Sequence, residues 1–128
     1  MKILGIGVDI VQNKRIKKLV HNKLFLKRTF SKKEIQFSIK KFDMISYYSK
    51  RFAAKEAFAK SLGTGFRLNL NFKDIEVLND KFGKPYYLMS SKIKNIVNKR
   101  FKIKRFDLFL SITDEKDYSV AFTILQKK

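Results

Sequence analysis

Apolar residues crowd the start of the chain. Ile3, Leu4, Ile6, Val8 and Ile10 predict a buried strand over 2–10. Behind it, NKRIKKLV at 13–20 places Ile16, Leu19 and Val20 on one face of a short basic helix. Ser31 followed by Glu34 has capping-box spacing, so a second short helix is expected to begin there. Asp43 can cap a longer helix over about 44–62, in which Ile45, Tyr48, Phe52, Phe58 and Leu62 recur at mixed three- and four-residue spacing. Gly63 stands where a C-cap glycine belongs. DIEVLN at 74–79 alternates polar and apolar residues as a half-buried strand does, and the turn DKFGKP leads into a strand at 85–89. Ser90 or Ser91 caps a helix through about Phe101 with Ile93, Ile96 and Val97 inward. FDLFLSIT at 106–113 and YSVAFTIL at 118–125 flank the polar turn DEKD and predict a hairpin. The order is strand, helices, hairpin, helix, hairpin: an α+β layout in one domain, 1–128.

Composition narrows the function classes. The chain has 128 residues, 45% of them hydrophobic, which suits a packed core rather than a disordered tail. No apolar run approaches the ~18 residues of a membrane span. MKILGIGVDI lacks a small-residue cleavage site and runs straight into Asp9, so no signal peptide is expected and the protein is placed in the cytoplasm. With no cysteine, disulfides, zinc–thiolate sites and thiol catalysis are excluded. The net charge of +19 suits a polyanionic partner: a nucleic acid, an acidic protein or a phosphorylated small molecule. The preference for Lys over Arg, with abundant Phe, Ile and Asn, is also the skew of an A/T-rich genome, so the placement of particular cations matters more than their number.

Against 30 basic residues stand only 11 acidic ones, and two of these sit among small and basic neighbours: Asp9 in GIGVDI and Glu56 in RFAAKEAFAKSLGTG. Two carboxylates are too few to hold a bare divalent ion, but they suit a magnesium ion that keeps waters and binds substrate phosphates. Phe52, Glu56 and Lys60 fall one helical turn apart and share a face, with Arg51 near that stripe. Taken alone, Glu56 and Lys60 are more simply an ordinary i, i+4 pair. Gly63 and Gly65 can turn backbone amides toward an anion, although a helix C-terminus repels one. GIG at 5–7 is only a fragment of a dinucleotide fingerprint. His21, the single histidine, lies in a mobile-looking basic stretch, so a Ser–His–Asp triad or histidine metal site is not expected. No RNA-recognition signature occurs, and a basic nucleic-acid-binding α+β module would rest on charge alone.

In combination and order, five blocks resemble the holo-[acyl-carrier-protein] synthases, the short bacterial type of 4′-phosphopantetheinyl transferase. They are GIGVDIVQNKRI at 5–16, KRTFSKKE at 27–34, KRFAAKEAFAKSLGTG at 50–65, FKDIEVLNDKFGKP at 72–85 and LSITDEKDYSVAFTIL at 110–125. The resemblance implies an antiparallel sheet with helices packed on it, in a homotrimer with sites in the clefts between subunits. It implies Mg²⁺-dependent transfer of phosphopantetheine from coenzyme A to a serine of apo acyl carrier protein, in support of fatty acid biosynthesis, with release of adenosine 3′,5′-bisphosphate. No nucleic-acid partner is implied. By the same resemblance Asp9 and Glu56 match the metal ligands, Lys60 reaches the diphosphate and Arg51 faces the 3′-phosphate. The Gly63-Thr64-Gly65 turn lies along the cofactor and Gly83-Lys84-Pro85 near the adenine. The serine proton leaves through a water or a carboxylate such as Glu56. Arg15 and Arg28 match positions that receive the acidic carrier protein, and Lys14, Lys17 and Lys18 add long-range attraction.

Two positions depart from the family pattern. Asp114 stands where many members carry a histidine near the 3′-phosphate, which puts a phosphate contact from this position in doubt. Asn69 stands in place of a usual glycine, and asparagine is the residue that best replaces glycine at positive φ.

Overall fold

The computed structural model describes residues 1–128. In chain order the elements are β1 (Lys2–Gln12), α1 (Asn13–Leu19), α2 (Lys23–Thr29), α3 (Lys32–Ser38), α4 (Met44–Leu62), a 3₁₀ turn (Phe72–Asp74), β2 (Val77–Asn79), β3 (Pro85–Tyr87), α5 (Ser91–Phe101), β4 (Phe106–Asp114) and β5 (Tyr118–Lys127). β1, β5 and β4 form an antiparallel sheet in that order, and β2 pairs with β3 in a separate two-stranded sheet. α4 lies across the inner face of the larger sheet, and the helices and antiparallel strands give the expected α+β fold. No helix is long and apolar enough to cross a membrane.

α4 forms as its ends predict. Asp43 accepts from the Ser46 amide at 2.9 Å, and Gly63 closes the helix at φ +76°. Its small residues Ala53, Ala54, Ala57 and Ala59 are buried, which brings its backbone close to the sheet. The approach is closest at β1. A β-carbon on Gly5 would overlap the Ser61 carbonyl, and one on Gly7 the Ala57 carbonyl. Only glycine fits at these two positions, for space rather than for φ.

This contact corrects the expectation of a buried first strand. Side chains alternate across a strand, so with Gly5, Gly7 and Val11 turned to α4, the residues Ile6, Val8 and Ile10 face outward, and Ile3 does so as well because the register shifts between it and Gly5; each is more than half exposed. They continue across the sheet through the pairs Ile6–Ile124 and Val8–Phe122 and on to Phe109, as an uncovered apolar face. Three smaller differences follow from local chemistry. The stretch after His21 is helical, because the Asn22 side chain accepts from the Leu24 and Phe25 amides and starts α2. Asp74 ends a 3₁₀ turn instead of opening a strand, since its carboxylate accepts from the Asn71 amide at 2.9 Å; the strand is confined to Val77–Asn79. The strand expected over 85–89 stops at Tyr87.

The helices are locked to one another by an ion pair inside the core. Lys55 Nζ donates to Glu34 Oε1 at 2.7 Å with both side chains fully buried, and also to the carbonyls of Phe72 and Ile75. Glu34 completes the capping box with Ser31, and its second oxygen accepts from the Val77 amide at 3.1 Å. A buried ion pair of this kind is tolerable because each charge is fully hydrogen-bonded. Lys55→Met would leave Glu34 buried without its counter-charge. The expected loss is about 3–5 kcal/mol, read from the urea midpoint at unchanged m-value. A loss below about 1 kcal/mol would show that the pair is not holding the helices together.

Candidate active site

Asp9 is the next inward residue of β1 after Gly7, so the close approach of α4 sets its carboxylate beside the last turns of that helix. Lys60 Nζ donates to Asp9 Oδ1 at 3.1 Å and to the Val8 carbonyl at 3.0 Å. Glu56 lies one turn earlier on the same face of α4. Burial holds the carboxyls of Asp9 and Glu56 above the usual range. For Glu56 the charge of Asp9 adds to the effect, while Lys60 and Arg15 oppose it at both. The structure therefore brings together Asp9, Glu56, Lys60 and, from α1, Arg15.

No group of three potential metal-ligating residues exists anywhere in the chain. The Asp9–Glu56 pair offers hard oxygen donors only, held against their mutual repulsion in a half-buried setting. That donor set fits a divalent ion such as Mg²⁺ whose remaining positions go to waters and phosphate oxygens.

Arg51 belongs to a different face. From Glu56 it is about 140° around α4 at ~100° per residue, so it does not share the Glu56–Lys60 stripe. It is buried, its guanidinium stacks over the Tyr47 ring at 3.8 Å, and it donates to Asn79 Oδ1. No carboxylate pairs with it, and its Nε has no partner. Burial pulls its pKa below the ordinary value. This underpaired cation lines a cleft of about 860 Å³ together with Gly83, Pro85, Lys81 and Tyr86. A buried cation with unused hydrogen-bonding capacity on a cleft wall is suited to an anion. The turn that carries Gly83 is held by Asp80, whose carboxylate accepts from the Phe82 and Lys84 amides at 2.8 and 2.9 Å. Lys84 itself is exposed beside this cleft.

The remaining expected site residues are placed as follows. Gly63, Thr64 and Gly65 make the turn that leaves α4, with positive φ at both glycines. The Gly63 amide is already bonded to the Lys60 carbonyl at 3.0 Å, which leaves the amides of Thr64 and Gly65 as the donors an anion can use. Arg28 lies in the last turn of α2 and is exposed on the surface. Asn69 has φ +61°, as its replacement of a glycine requires, and Leu68 beside it is also at positive φ. Asp114 accepts from Ser46 Oγ at 2.9 Å on the wall of the Arg51 cleft, so it adds negative charge there. Tyr47 and Asn79, which orient Arg51, carried no sequence signal because their roles depend on elements brought together only by folding.

The burial of Glu56, with the repulsion from Asp9 added to it, makes a stability prediction. Glu56 is held above its ordinary pKa, so its neutral form is favoured in the folded state and its ionised form is penalised. The stability it contributes is present below the ordinary carboxylate range and lost as pH rises through its raised folded value. In buffer free of divalent ions, Glu56→Gln is therefore expected to melt above the wild type at pH 7, and the gain is expected to disappear below about pH 4. Thermal melts at the two pH values check this; a lower melting temperature at pH 7 contradicts it.

A profile of the 4′-phosphopantetheinyl transferase superfamily matches residues 5–123. The holo-[acyl-carrier-protein] synthase of Pelagibacter ubique (strain HTCC1062) is 65% identical over 128 residues, covering all of both chains. Among solved structures, the holo-[acyl-carrier-protein] synthase of Neisseria meningitidis superposes with a TM-score of 0.87 at 36% identity, over 98% of this chain and 99% of its own. The Bacillus anthracis holo-(acyl-carrier-protein) synthase, solved in complex with CoA (3′,5′-ADP), superposes at 0.82 and 32% identity over 100% of both chains. Similarity of this extent in sequence and in fold places the chain in the 4′-phosphopantetheinyl transferase superfamily.

Proposed function

We propose that the chain, as one transferase domain over 1–128, moves the 4′-phosphopantetheine group of coenzyme A to a serine hydroxyl of apo acyl carrier protein. Adenosine 3′,5′-bisphosphate is the second product. The observation that carries this reading is the pair of half-buried carboxylates, Asp9 and Glu56, set against Lys60 where β1 meets α4. The relatives named above give the pair its substrate.

Asp9 and Glu56 hold Mg²⁺, and when bound the ion supplies charge neutralisation at the diphosphate. Lys60 gives its ammonium to the diphosphate, exchanging part of its contact with Asp9 for a phosphate oxygen. Arg51 takes the 3′-phosphate, since it is the buried cation without a counter-charge. Asp114 does not share that phosphate, because its carboxylate would repel it. Gly83-Lys84-Pro85 borders the adenine, and Gly63-Thr64-Gly65 runs along the cofactor. The serine oxygen forms a bond to the phosphorus of the phosphopantetheine phosphate, and the bond from that phosphorus to the bridging oxygen breaks. The hydroxyl proton leaves through a water or through a carboxylate such as Glu56.

Arg15, Arg28 and the lysines of α1 form the docking side for the acidic carrier protein. Their charge raises the rate of encounter more than it fixes the docked pose. A homotrimer completes the site. Two features support it: the Arg51 cleft and the Asp9–Glu56 pair open on different faces of α4, and the outer face of the β1-β5-β4 sheet is apolar and uncovered. The protein works in the cytoplasm, where coenzyme A and acyl carrier protein meet.

The intact mass of apo acyl carrier protein after incubation with this protein, coenzyme A and Mg²⁺ tests the proposal. The expected result is a gain of one phosphopantetheine group, abolished by a chelator and lowered at least about 100-fold in Asp9→Ala and Glu56→Ala. Transfer that persists in both variants would overturn the assignment of the site.

A further inference from the structure

Arg100 lies in the last turn of α5, far in sequence from every residue assigned above, yet it ends at the exit of α4. Its Nε donates to the Leu62 carbonyl at 2.9 Å. Its Nη2 would stand 3.2 Å from a β-carbon placed on Gly63, so the guanidinium lies directly against that glycine. Phe101 backs it from below, with the guanidinium carbon 4.8 Å from the ring centroid. Leu62 contributes one of the terminal carbonyls that a helix cannot satisfy internally. At this point the helix also presents the negative end of its dipole, and the turn Gly63-Thr64-Gly65, which the proposed function sets along the cofactor, begins here. In the proposed function α4 thus brings Lys60 and the turn to the diphosphate while directing a repulsive end at the same place.

We infer that Arg100 is a positioning residue for coenzyme A. It offsets the negative end of α4 and clamps the Gly63-Thr64-Gly65 turn in the shape that meets the diphosphate. It acts through Leu62 and Gly63. The inference rests on the proposed function, in which that turn borders the cofactor. A purely structural Arg100 would change stability alone. A positioning Arg100 changes the affinity for coenzyme A and leaves the affinity for carrier protein as it was.

Arg100→Met, Arg100→Gln and Arg100→Lys separate charge from hydrogen bonding, with Lys99→Met as a neighbouring surface control on the same helix. KM for each substrate, kcat and a calorimetric isotherm for coenzyme A are measured on each, with a thermal melt to confirm folding. Arg100→Met and Arg100→Gln are expected to raise the coenzyme A KM and Kd about five-fold, the size of one charge at a helix end. At saturating coenzyme A, kcat stays within about two-fold, as for a loss of ground-state binding. Arg100→Lys is expected to recover most of the affinity, and Lys99→Met to leave it unchanged. If Arg100→Met does not fold, Arg100→Gln carries the test. Unchanged coenzyme A affinity in the folded variants, beside a wild type that binds and transfers, overturns the inference alone. A wild type that binds no coenzyme A overturns the underlying function and the inference together.

Discussion

The contact between β1 and α4 is the constraint on which the rest depends. Gly5 and Gly7 leave no side chain between strand and helix, so the backbone of α4 comes down onto the sheet at Ala57 and Ser61. The next inward position on β1 is Asp9, which therefore meets Lys60 at hydrogen-bonding range and adds its charge to the surroundings of Glu56. Because side chains alternate, the same seating turns Ile6, Val8 and Ile10 away from the core. One steric fact thus creates both a pair of confronted carboxylates and an apolar sheet face with nothing over it.

α4 is the axis around which the chemistry is distributed. Its adjacent residues Lys55 and Glu56 do opposite things. Lys55 enters the core, where burial lowers its pKa and Glu34 with two carbonyls satisfies its ammonium. Glu56 faces the groove, where burial and Asp9 penalise its charge. Arg51, a turn and a half before it, faces a different cleft. The fully satisfied ion pair fixes α4 against α3 and the 72–77 segment. Glu56 and Arg51 are less fully compensated: Asp9 repels the one, and the Nε of the other has no partner. Charges without full internal compensation are costly to a fold, and these two are the groups that the proposed function assigns to metal and to substrate.

The sequence made much of this legible, and the physical reasons are specific. α4 could be bounded from Asp43 and Gly63 because capping chemistry is local. Asp9 and Glu56 stood out because acidic residues are scarce in so basic a chain. α2 escaped notice: Asn22 begins it without the glutamate three positions on that marked α3, and its apolar residues Leu24, Phe25 and Leu26 are contiguous instead of helically spaced. The apolar residues of β1 were read as buried, since periodicity reports which residues share a face and not whether anything covers it. Arg51 was grouped with Glu56 by sequence proximity, whereas the helix turns it toward Tyr47 and Asn79. Arg100 gave no sign at all, because a side chain that caps another helix is defined only by the tertiary fold.

The central claim is that Arg51 and the Asp9–Glu56 pair, facing different clefts on one chain, serve one bound coenzyme A through association of copies. Co-expression of Arg51→Gln chains with Glu56→Ala chains tests this most directly, with transfer to apo acyl carrier protein measured at subsaturating coenzyme A. Each variant alone is expected to be slow. In mixed trimers about one quarter of the sites, by random association, would pair an intact Glu56 with a neighbour's intact Arg51. Transfer well above the sum of the separate variants is the result this account predicts. A mixture no faster than that sum would show that each chain carries its whole site, and would contradict it.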